Sequence, residues 1–277
     1  MNDSTAQLIP GACDCHVHIY EPERFPLTQQ IARASWNDYR TVQQRLGLER
    51  AVLVQANGYG FDIRCLLDAL TQAGDAARGI AVIKLDITDE QLVALHRNGV
   101  RGVRFMLVPN ARGALDWDAL EPLSARVAEL GWVINLQVDG RLLADYEQRL
   151  RALPSALSID HTGKFLEPVG TDHAGFKSLL RLLDSGDVWV KVSAPYETSK
   201  TGAPHYEDVS ELARALVQIH PDRCLWASNW PHPGRDPLPD DLAMLDLLSE
   251  WAPDEQVRRK ILVHNPAQLY GFDDERG

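Results

Sequence analysis

Two histidines one residue apart follow a short apolar segment near the N-terminus, in the sequence CDCHVHI. His16 and His18 are predicted on the same face of a strand, because side chains alternate along a strand with a period of two. Two imidazoles on one face can bind a metal ion, or they can polarise a carbonyl oxygen that becomes negatively charged during a reaction. His161 follows another apolar segment, SIDHTG. We therefore predict that His16, His18 and His161 are catalytic.

A zinc site built from these three histidines stays open as an alternative, because histidines alone bind zinc in some enzymes. The other predicted strand ends offer few metal ligands. The fourth strand carries Arg104, a cation that repels a metal ion, and the fifth strand offers only amides. A packing role is common for one histidine but less so for three together. We predict that the protein uses no metal and no cofactor, and that His16, His18 and His161 are the ligands if a metal binds.

The sequence LWASNWPHP contains an amide, Asn229, at a position where hydrolytic barrel enzymes usually have a carboxylate. An amide cannot take up a proton at working pH, so Asn229 cannot be a general base. A hydroxyl of the substrate itself needs less help than water, because intramolecular attack has an effective molarity of up to about 10⁵–10⁸ M. This pattern favours ring transfer, with Asn229 orienting the attacking hydroxyl.

Polar residues at other strand ends are candidates for substrate binding. Arg104, assisted by Lys164, is predicted to hold a carboxylate, because a guanidinium binds carboxylates through two parallel hydrogen bonds. An ion pair that closes the barrel is the structural alternative for Arg104. For the remaining candidates a hydrogen bond that stabilises a loop is equally plausible. They are Gln55, Asn57, Asn135 and Tyr196.

Short apolar segments alternate with amphipathic helical segments along the whole chain, which indicates a parallel α/β fold. In one helical segment, apolar residues recur with helical spacing behind Asp62, which we predict as the N-cap. No G-x-G-x-x-G or P-loop occurs, which disfavours a doubly wound nucleotide-binding sheet. The strand segments number eight and are ACDCHVHI, RAVLVQAN, RGIAVIKL, GVRGVRFML, GWVINLQV, ALSIDHTG, VWVKVSA and RCLWASNW.

Eight such units predict a single (β/α)8 TIM barrel, with residues 1–277 as one domain and residues 1–10 as a flexible arm. In this fold the active site lies at the C-terminal ends of the strands, where the candidate residues above occur. The alternation also predicts that Asp14 shares the face of His16 and His18, while Cys15 and Val17 face the helices.

Composition limits the classes of function. The chain has 277 residues, of which 45% are hydrophobic, and a formal net charge of −11, which argues against binding to nucleic acids or anionic membranes. Its four cysteines contain no C-x-x-C pair. The N-terminal sequence lacks the apolar core of a signal peptide, and no long apolar run occurs, so we expect a cytoplasmic protein. The oligomeric state stays open.

The motifs CDCHVH, GVRGVRF, SIDHTGK and LWASNWPHP, in this order, resemble the amidohydrolase superfamily. They are most similar to the branch that contains 2-pyrone-4,6-dicarboxylate hydrolase and D-galactarolactone isomerase, and the resemblance extends from about Gly11 to VHNPAQLYGF. It implies a (β/α)8 barrel, metal-independent chemistry and a small anionic lactone as substrate. Within this branch, DHTGKF, PYETSK and NWPH resemble the isomerase, which likewise has asparagine on the eighth strand.

The resemblance also implies roles for individual residues. It implies that His16, His18 and His161 donate hydrogen bonds to the lactone carbonyl and that Arg104 binds a substrate carboxylate, whereas Asn229 replaces the aspartate base of the hydrolase. A second carboxylate-binding arginine of the hydrolase falls on Asn110, with Arg112 nearby, and a tyrosine falls on Asn135.

The function predicted from the sequence is δ-to-γ isomerisation of a carboxylated sugar-acid lactone by intramolecular acyl transfer. A lactone hydrolase, a metal-dependent amidohydrolase or decarboxylase, and a binding barrel without activity stay open as alternatives.

Overall fold

Eight parallel strands form one sheet in chain order, from β1 to β8. The computed structural model describes residues 8–27, 30–108 and 114–273, so Asn110, Arg112 and most of the predicted N-terminal arm lie outside the described residues. The strands are β1 (Cys13–Val17), β2 (Arg50–Val54), β3 (Ala77–Ala81), β4 (Val100–Met106), β5 (Val133–Gln137), β6 (Leu157–Ile159), β7 (Val188–Ser193) and β8 (Cys224–Ala227).

The segment after β8 closes the barrel against β1. Val17 and Trp230 form a parallel bridge, the Asn229 N–H donates to the His16 carbonyl over 3.0 Å, and the His18 N–H donates to the Trp230 carbonyl over 2.8 Å. The prediction of a (β/α)8 barrel is confirmed. Closure also fixes Asn229 beside both histidines of β1.

Helices surround the strands and begin at capping residues that the sequence supplies. Ser35 and Thr88 each form a capping box with the residue three positions later. Asp62 accepts from the Arg64 N–H over 3.1 Å, although Ile63 is the N-cap residue. The helices are α1 (Trp36–Arg45), α2 (Arg64–Ala73), α3 (Asp89–Arg97), α4 (Leu120–Ala128), α5 (Leu143–Arg151), α6 (Ala174–Leu183), α7 (Glu207–Ile219), α8 (Asp241–Trp251), α9 (Glu255–Arg259) and α10 (Asn265–Tyr270).

The inner face of the barrel has an apolar lower part. Cys13 and Cys15 pack there with side chains from the other strands and from α10. This corrects the alternation predicted for β1, because Cys15 points inward and Asp14 points outward to the hydroxyl of Tyr39, 3.0 Å away. The cause is an irregular register between Asp14 and Val17, where a bulge shifts the alternation before His16. Val17 packs with the helices, as predicted.

Polar side chains replace apolar ones towards the C-terminal ends of the strands. His16, Asn135, Asp160 and Lys191 are each fully buried and come from four different strands or strand ends. Among the described residues, no helix has the length and hydropathy needed to cross a membrane.

Candidate active site

The three predicted histidines come together at the C-terminal end of the barrel. The Nε2 atoms of His16 and His18 lie 3.2 Å apart, and the rings of His16 and His161 have centroids 5.0 Å apart. His18 Nδ1 is 2.7 Å from the Val54 carbonyl, and His161 Nδ1 is 3.0 Å from the Ser193 hydroxyl. The Nδ1 atoms of His18 and His161 thus each contact a neighbouring oxygen.

Burial keeps the three imidazoles neutral. For His18, burial and the Arg104 guanidinium lower the pKa to about 3. Burial is also the largest cause for His16 and His161, whose pKa values lie well below the usual range although the Asp160 carboxylate opposes the shift. A neutral imidazole offers a substrate one hydrogen-bond donor and one acceptor.

Hydrogen-bond partners indicate which ring nitrogens carry protons. The Val54 carbonyl can only accept, so neutral His18 has its proton on Nδ1 and a lone pair on Nε2. His16 Nε2 therefore donates to His18 Nε2, while Lys191 Nζ donates to His16 Nδ1 over 3.1 Å. The prediction that all three histidines donate to a carbonyl oxygen is thus corrected for His18, which presents a proton acceptor.

A buried ion pair supports His16 from below. Lys191 Nζ and His16 Nδ1 lie 3.1 Å and 3.3 Å from Asp160 Oδ1. Asn135 joins the pair, because its Nδ2 donates to Asp160 over 2.9 Å and its Oδ1 accepts from Lys191. Burial raises the pKa of Asp160, but the Lys191 ammonium outweighs it and holds the pKa well below the usual range. This closed network fixes the orientation of His16.

The same network fits a divalent metal poorly. His16, Asp160 and His161 are the described residues whose potential ligand atoms lie within 4.8 Å of one another. Lys191 already neutralises Asp160, and its hydrogen bond to His16 Nδ1 leaves the proton on Nε2, where a ligand would need a lone pair. A dication would also be repelled by the nearby guanidinium of Arg104. The absence of a metal remains a prediction.

Arg104 is a buried cation without a counterion among the described residues. Its side chain is 4% exposed, and its Nη1 donates to the Gln55 carbonyl over 2.6 Å. Its Nε has no hydrogen-bond partner, and no described carboxylate pairs with it. The alternative that Arg104 closes the barrel through an ion pair therefore receives no support from the described residues.

Asn229 links the histidines to the loop after β7. Its φ of 65° lies in the left-handed region, which asparagine tolerates better than most residues. Its Nδ2 donates over 3.0 Å to the Tyr196 hydroxyl and over 3.0 Å to Glu197 Oε1. The second oxygen of Glu197 pairs with the ammonium of Lys164. Lys164, predicted to bind a substrate carboxylate, thus has a carboxylate partner within the protein.

A chain of hydrogen bonds orients the Tyr196 hydroxyl. It lies 2.7 Å from His232 Nδ1, and His232 Nε2 lies 2.9 Å from Asp241 Oδ1. With the carboxylate accepting from Nε2, His232 Nδ1 accepts from Tyr196, whose oxygen then accepts from Asn229. Burial raises the pKa of Tyr196, so the phenol is neutral.

The other predicted binding residues hold the protein's own groups. Gln55 donates to the Gly60 carbonyl over 2.8 Å and accepts from the Val82 N–H over 2.9 Å. Asn57 Nδ2 contacts Met106 Sδ at 2.6 Å. Both polar atoms of Asn135 are used by Lys191 and Asp160, as described above. Their binding of a substrate stays a prediction.

Sequence reasoning gave no role to three residues that complete this arrangement, namely Lys191, Glu197 and Asp241. Lys191 had a usable signal, because a lysine inside an apolar strand segment must have a buried partner. Glu197 lies in PYETSK directly after the seventh strand, where active-site residues of this fold occur.

Comparison with known proteins agrees with this architecture. Residues 13–272 match the family described as amidohydrolase. The chain is 35% identical to 2-pyrone-4,6-dicarboxylate hydrolase from Comamonas testosteroni, over 95% of this chain and 91% of the relative. It is 32% identical to D-galactarolactone isomerase from Agrobacterium fabrum strain C58, over 94% and 91% of the two chains.

Its fold matches a solved apo structure of a protein from Agrobacterium tumefaciens with a TM-score of 0.90. The two chains are 32% identical, and the match covers 96% of this chain and 98% of the other. The chain belongs to the amidohydrolase family of enzymes.

Proposed function

We propose that this protein isomerises the δ-lactone of a sugar diacid to the γ-lactone, without a metal, by attack of a substrate hydroxyl on the lactone carbonyl. The observation that carries the proposal is Arg104, a buried guanidinium that lacks a counterion among the described residues. A buried charge of this kind is costly unless a ligand neutralises it. A carboxylate of the substrate supplies that charge.

The charge count of the site supports a substrate with one free carboxylate. Among the described residues, Lys164 and Lys191 pair with the two carboxylates Glu197 and Asp160, and the positive charge of Arg104 is left without an ion pair. The δ-lactone of an aldaric acid has one free carboxylate, because its other carboxyl group is part of the ring.

The histidines are suited to the charge changes of acyl transfer. His16 Nε2 offers a proton that can stabilise the oxyanion formed when the carbonyl is attacked. His18 Nε2 offers a lone pair that can accept a hydrogen bond from a substrate hydroxyl and so help to orient it. Asn229 orients the attacking hydroxyl, and the substrate carboxylate on Arg104 fixes the ring in the site.

Hydrolysis of a lactone is the second candidate. The hydrogen-bond acceptor of His18 can orient water as well as a hydroxyl, and one relative of 35% identity is named as a hydrolase. The two reactions differ only in which oxygen attacks the carbonyl.

Proton NMR of the purified protein with the δ-lactones of galactaric and glucaric acids distinguishes these reactions. We expect the γ-lactone to form faster than in an enzyme-free control, with the same rate after treatment with a chelator. His161→Ala, at a buried site residue, should abolish the conversion. If only the open diacid forms, water is the nucleophile and the isomerase proposal is wrong. A requirement for added zinc or manganese would contradict the metal-independent mechanism.

A further inference from the structure

Glu197 is the carboxylate that contacts Asn229. Its Oε1 accepts from Asn229 Nδ2 over 3.0 Å, its side chain is 15% exposed, and its other oxygen pairs with Lys164. Among the described residues, no other carboxylate has a hydrogen bond to this amide. The eighth strand is followed by the amide of Asn229 and supplies no carboxylate here. The loop after β7 supplies one instead, Glu197.

We propose that Glu197 is a catalytic residue, the base that takes the proton from the attacking hydroxyl and returns it to the leaving oxygen; this rests on the isomerisation proposed above. The attacking oxygen forms a bond to the lactone carbon as its proton moves to Glu197. The bond from that carbon to the ring oxygen then breaks, and the ring oxygen takes the same proton. Glu197 ends as it began, and no other reactant is consumed.

One carboxylate is sufficient for both proton transfers because of the chemistry of the substrate. In a δ-lactone that becomes a γ-lactone, the attacking and leaving oxygens are on neighbouring carbons. A base placed near one oxygen is therefore also near the other. A hydrolase differs, because its attacking oxygen comes from water.

The contact with Glu197 also gives a physical reason for asparagine at position 229. An amide donates a hydrogen bond to a carboxylate, whereas an aspartate there would bring two carboxylates to about 3 Å. Two like charges at that distance cannot both ionise readily, so one would hold a proton near neutral pH. Asn229 thus keeps Glu197 ionised.

Charged and titratable groups around Glu197 and its partner Asn229 bear on the ionisation of Glu197. The Lys164 ammonium pairs with it directly, and the Tyr196 hydroxyl shares the amide of Asn229. The guanidinium of Arg235 lies 5.3 Å from the centre of the Tyr196 ring. The ammonium of Lys164 favours the carboxylate form of Glu197.

The first test compares Glu197→Gln with Glu167→Gln in the NMR assay. Glu167 also pairs with a lysine, Lys200 at 3.7 Å, but both of those side chains are largely exposed, so it is a matched control. We expect Glu197→Gln to lower kcat by about 10²–10⁴-fold with a much smaller change in KM, and to remove the acidic limb of the kcat profile against pH. Glu167→Gln should keep the wild-type values.

The outcomes separate the two proposals. If the wild-type protein forms no γ-lactone, the proposed isomerisation is wrong. If the wild type isomerises and Glu197→Gln keeps its kcat and its acidic limb, the isomerisation stands and the role of Glu197 is overturned.

A second test needs no substrate. Asn229→Asp should lose thermal stability relative to the wild type as the pH rises from about 5 to about 8, with Tm lower by about 2–4 °C, because the raised pKa of the carboxylate pair makes its full ionisation costly in the fold. The double variant Asn229→Asp/Glu197→Gln restores one carboxylate and one amide, so its Tm difference should not depend on pH. An Asn229→Asp variant whose Tm difference is constant with pH would contradict the placement of the two side chains.

Discussion

The barrel contains two lysine–carboxylate pairs that differ in depth. Lys191 and Asp160 are fully buried inside the barrel, and Asn135 and His16 occupy their remaining polar atoms. Lys164 and Glu197 lie in the loops above, where their side chains are 12% and 15% exposed, and Glu197 also contacts Asn229. Both pairs combine a lysine with a carboxylate, yet only the upper pair has access to solvent.

This difference in depth indicates different roles. The deep pair supports the site, whereas the upper pair can take part in the reaction. A fully buried ion pair cannot open without leaving a charge buried and unpaired, so it holds His16 in place. A partly exposed pair costs less to open, and its carboxylate can contact a substrate and exchange protons with it. Arg104 lies between these cases, because it is buried like Lys191 but lacks a carboxylate among the described residues.

Breaking the deep pair should have the largest effect. Lys191→Met leaves the Asp160 charge buried without its cation, and we expect the free energy of unfolding to fall by about 3–5 kcal/mol. Urea denaturation followed by circular dichroism measures the change. Lys164→Met is the matched variant in the upper pair, and its loss should be smaller, because solvent reaches part of Glu197.

A second variant keeps this prediction testable if Lys191→Met does not fold. Lys191→Met/Asp160→Asn removes both charges, so most of the lost stability should return. Equal losses for Lys191→Met and Lys164→Met would mean that depth does not distinguish the two pairs.

Removing the unpaired cation should have a smaller effect, and it should act on catalysis. Arg104→Gln removes a charge-assisted hydrogen bond to the substrate carboxylate, worth about 1.5–3 kcal/mol, so kcat/KM should fall by about 10- to 100-fold. The stability of the variant should not fall, because it eliminates a buried charge that has no counterion. Steady-state kinetics and urea denaturation together check both expectations.

Arg101→Gln is the control for this experiment. Arg101 is on the same strand, but its Nη1 donates to the carbonyls of His96 and Val100, both at 2.8 Å. Its variant should keep the wild-type kcat/KM. A large loss of stability in Arg104→Gln would restore the view that Arg104 holds the barrel together.

The sequence was sufficient to predict the barrel, because each strand and most helices carry a strong local pattern. The face of Asp14 and Cys15 could not be predicted in the same way. It depends on a bulge in β1, which is set by pairing with neighbouring strands and leaves no periodic signal in the residues themselves. His16 and His18 still lie on one face, as predicted. The bulge, and not regular alternation along the whole strand, places them there.

Sequence-based prediction was also limited where two contacting residues are distant in the sequence. Asn229 was recognised as an amide in place of a carboxylate, but its contact with Glu197 joins two loops that are 32 residues apart. Likewise, Asn135 was predicted to bind substrate because it is near a strand end, whereas Lys191 and Asp160 occupy both of its polar atoms. Such pairings follow from the closure of the barrel, and a residue type near a strand end does not indicate them.

The smallest expected effect concerns the dependence of stability on pH, which reports the protonation of the buried histidines. Histidines around the deep pair have pKa values below that of an unfolded chain, with His18 at about 3. The folded state therefore binds fewer protons than the unfolded state between about pH 3 and 6.5, and stability falls as the pH is lowered through this window. Asp14 opposes the trend, because burial raises its pKa to about 6 and its contribution to stability is lost as the pH rises towards that value.

His18→Asn isolates one of these contributions, because it keeps a donor for the Val54 carbonyl but has no titrating group. Between about pH 4 and 6 the slope of the free energy of unfolding against pH should decrease by about 1.4 kcal/mol per pH unit. His205→Asn, at an exposed histidine in contact with Glu250, is the control and should keep nearly the wild-type slope. An unchanged slope in His18→Asn would mean that His18 is protonated in the fold, and His18 could then donate to the lactone carbonyl after all.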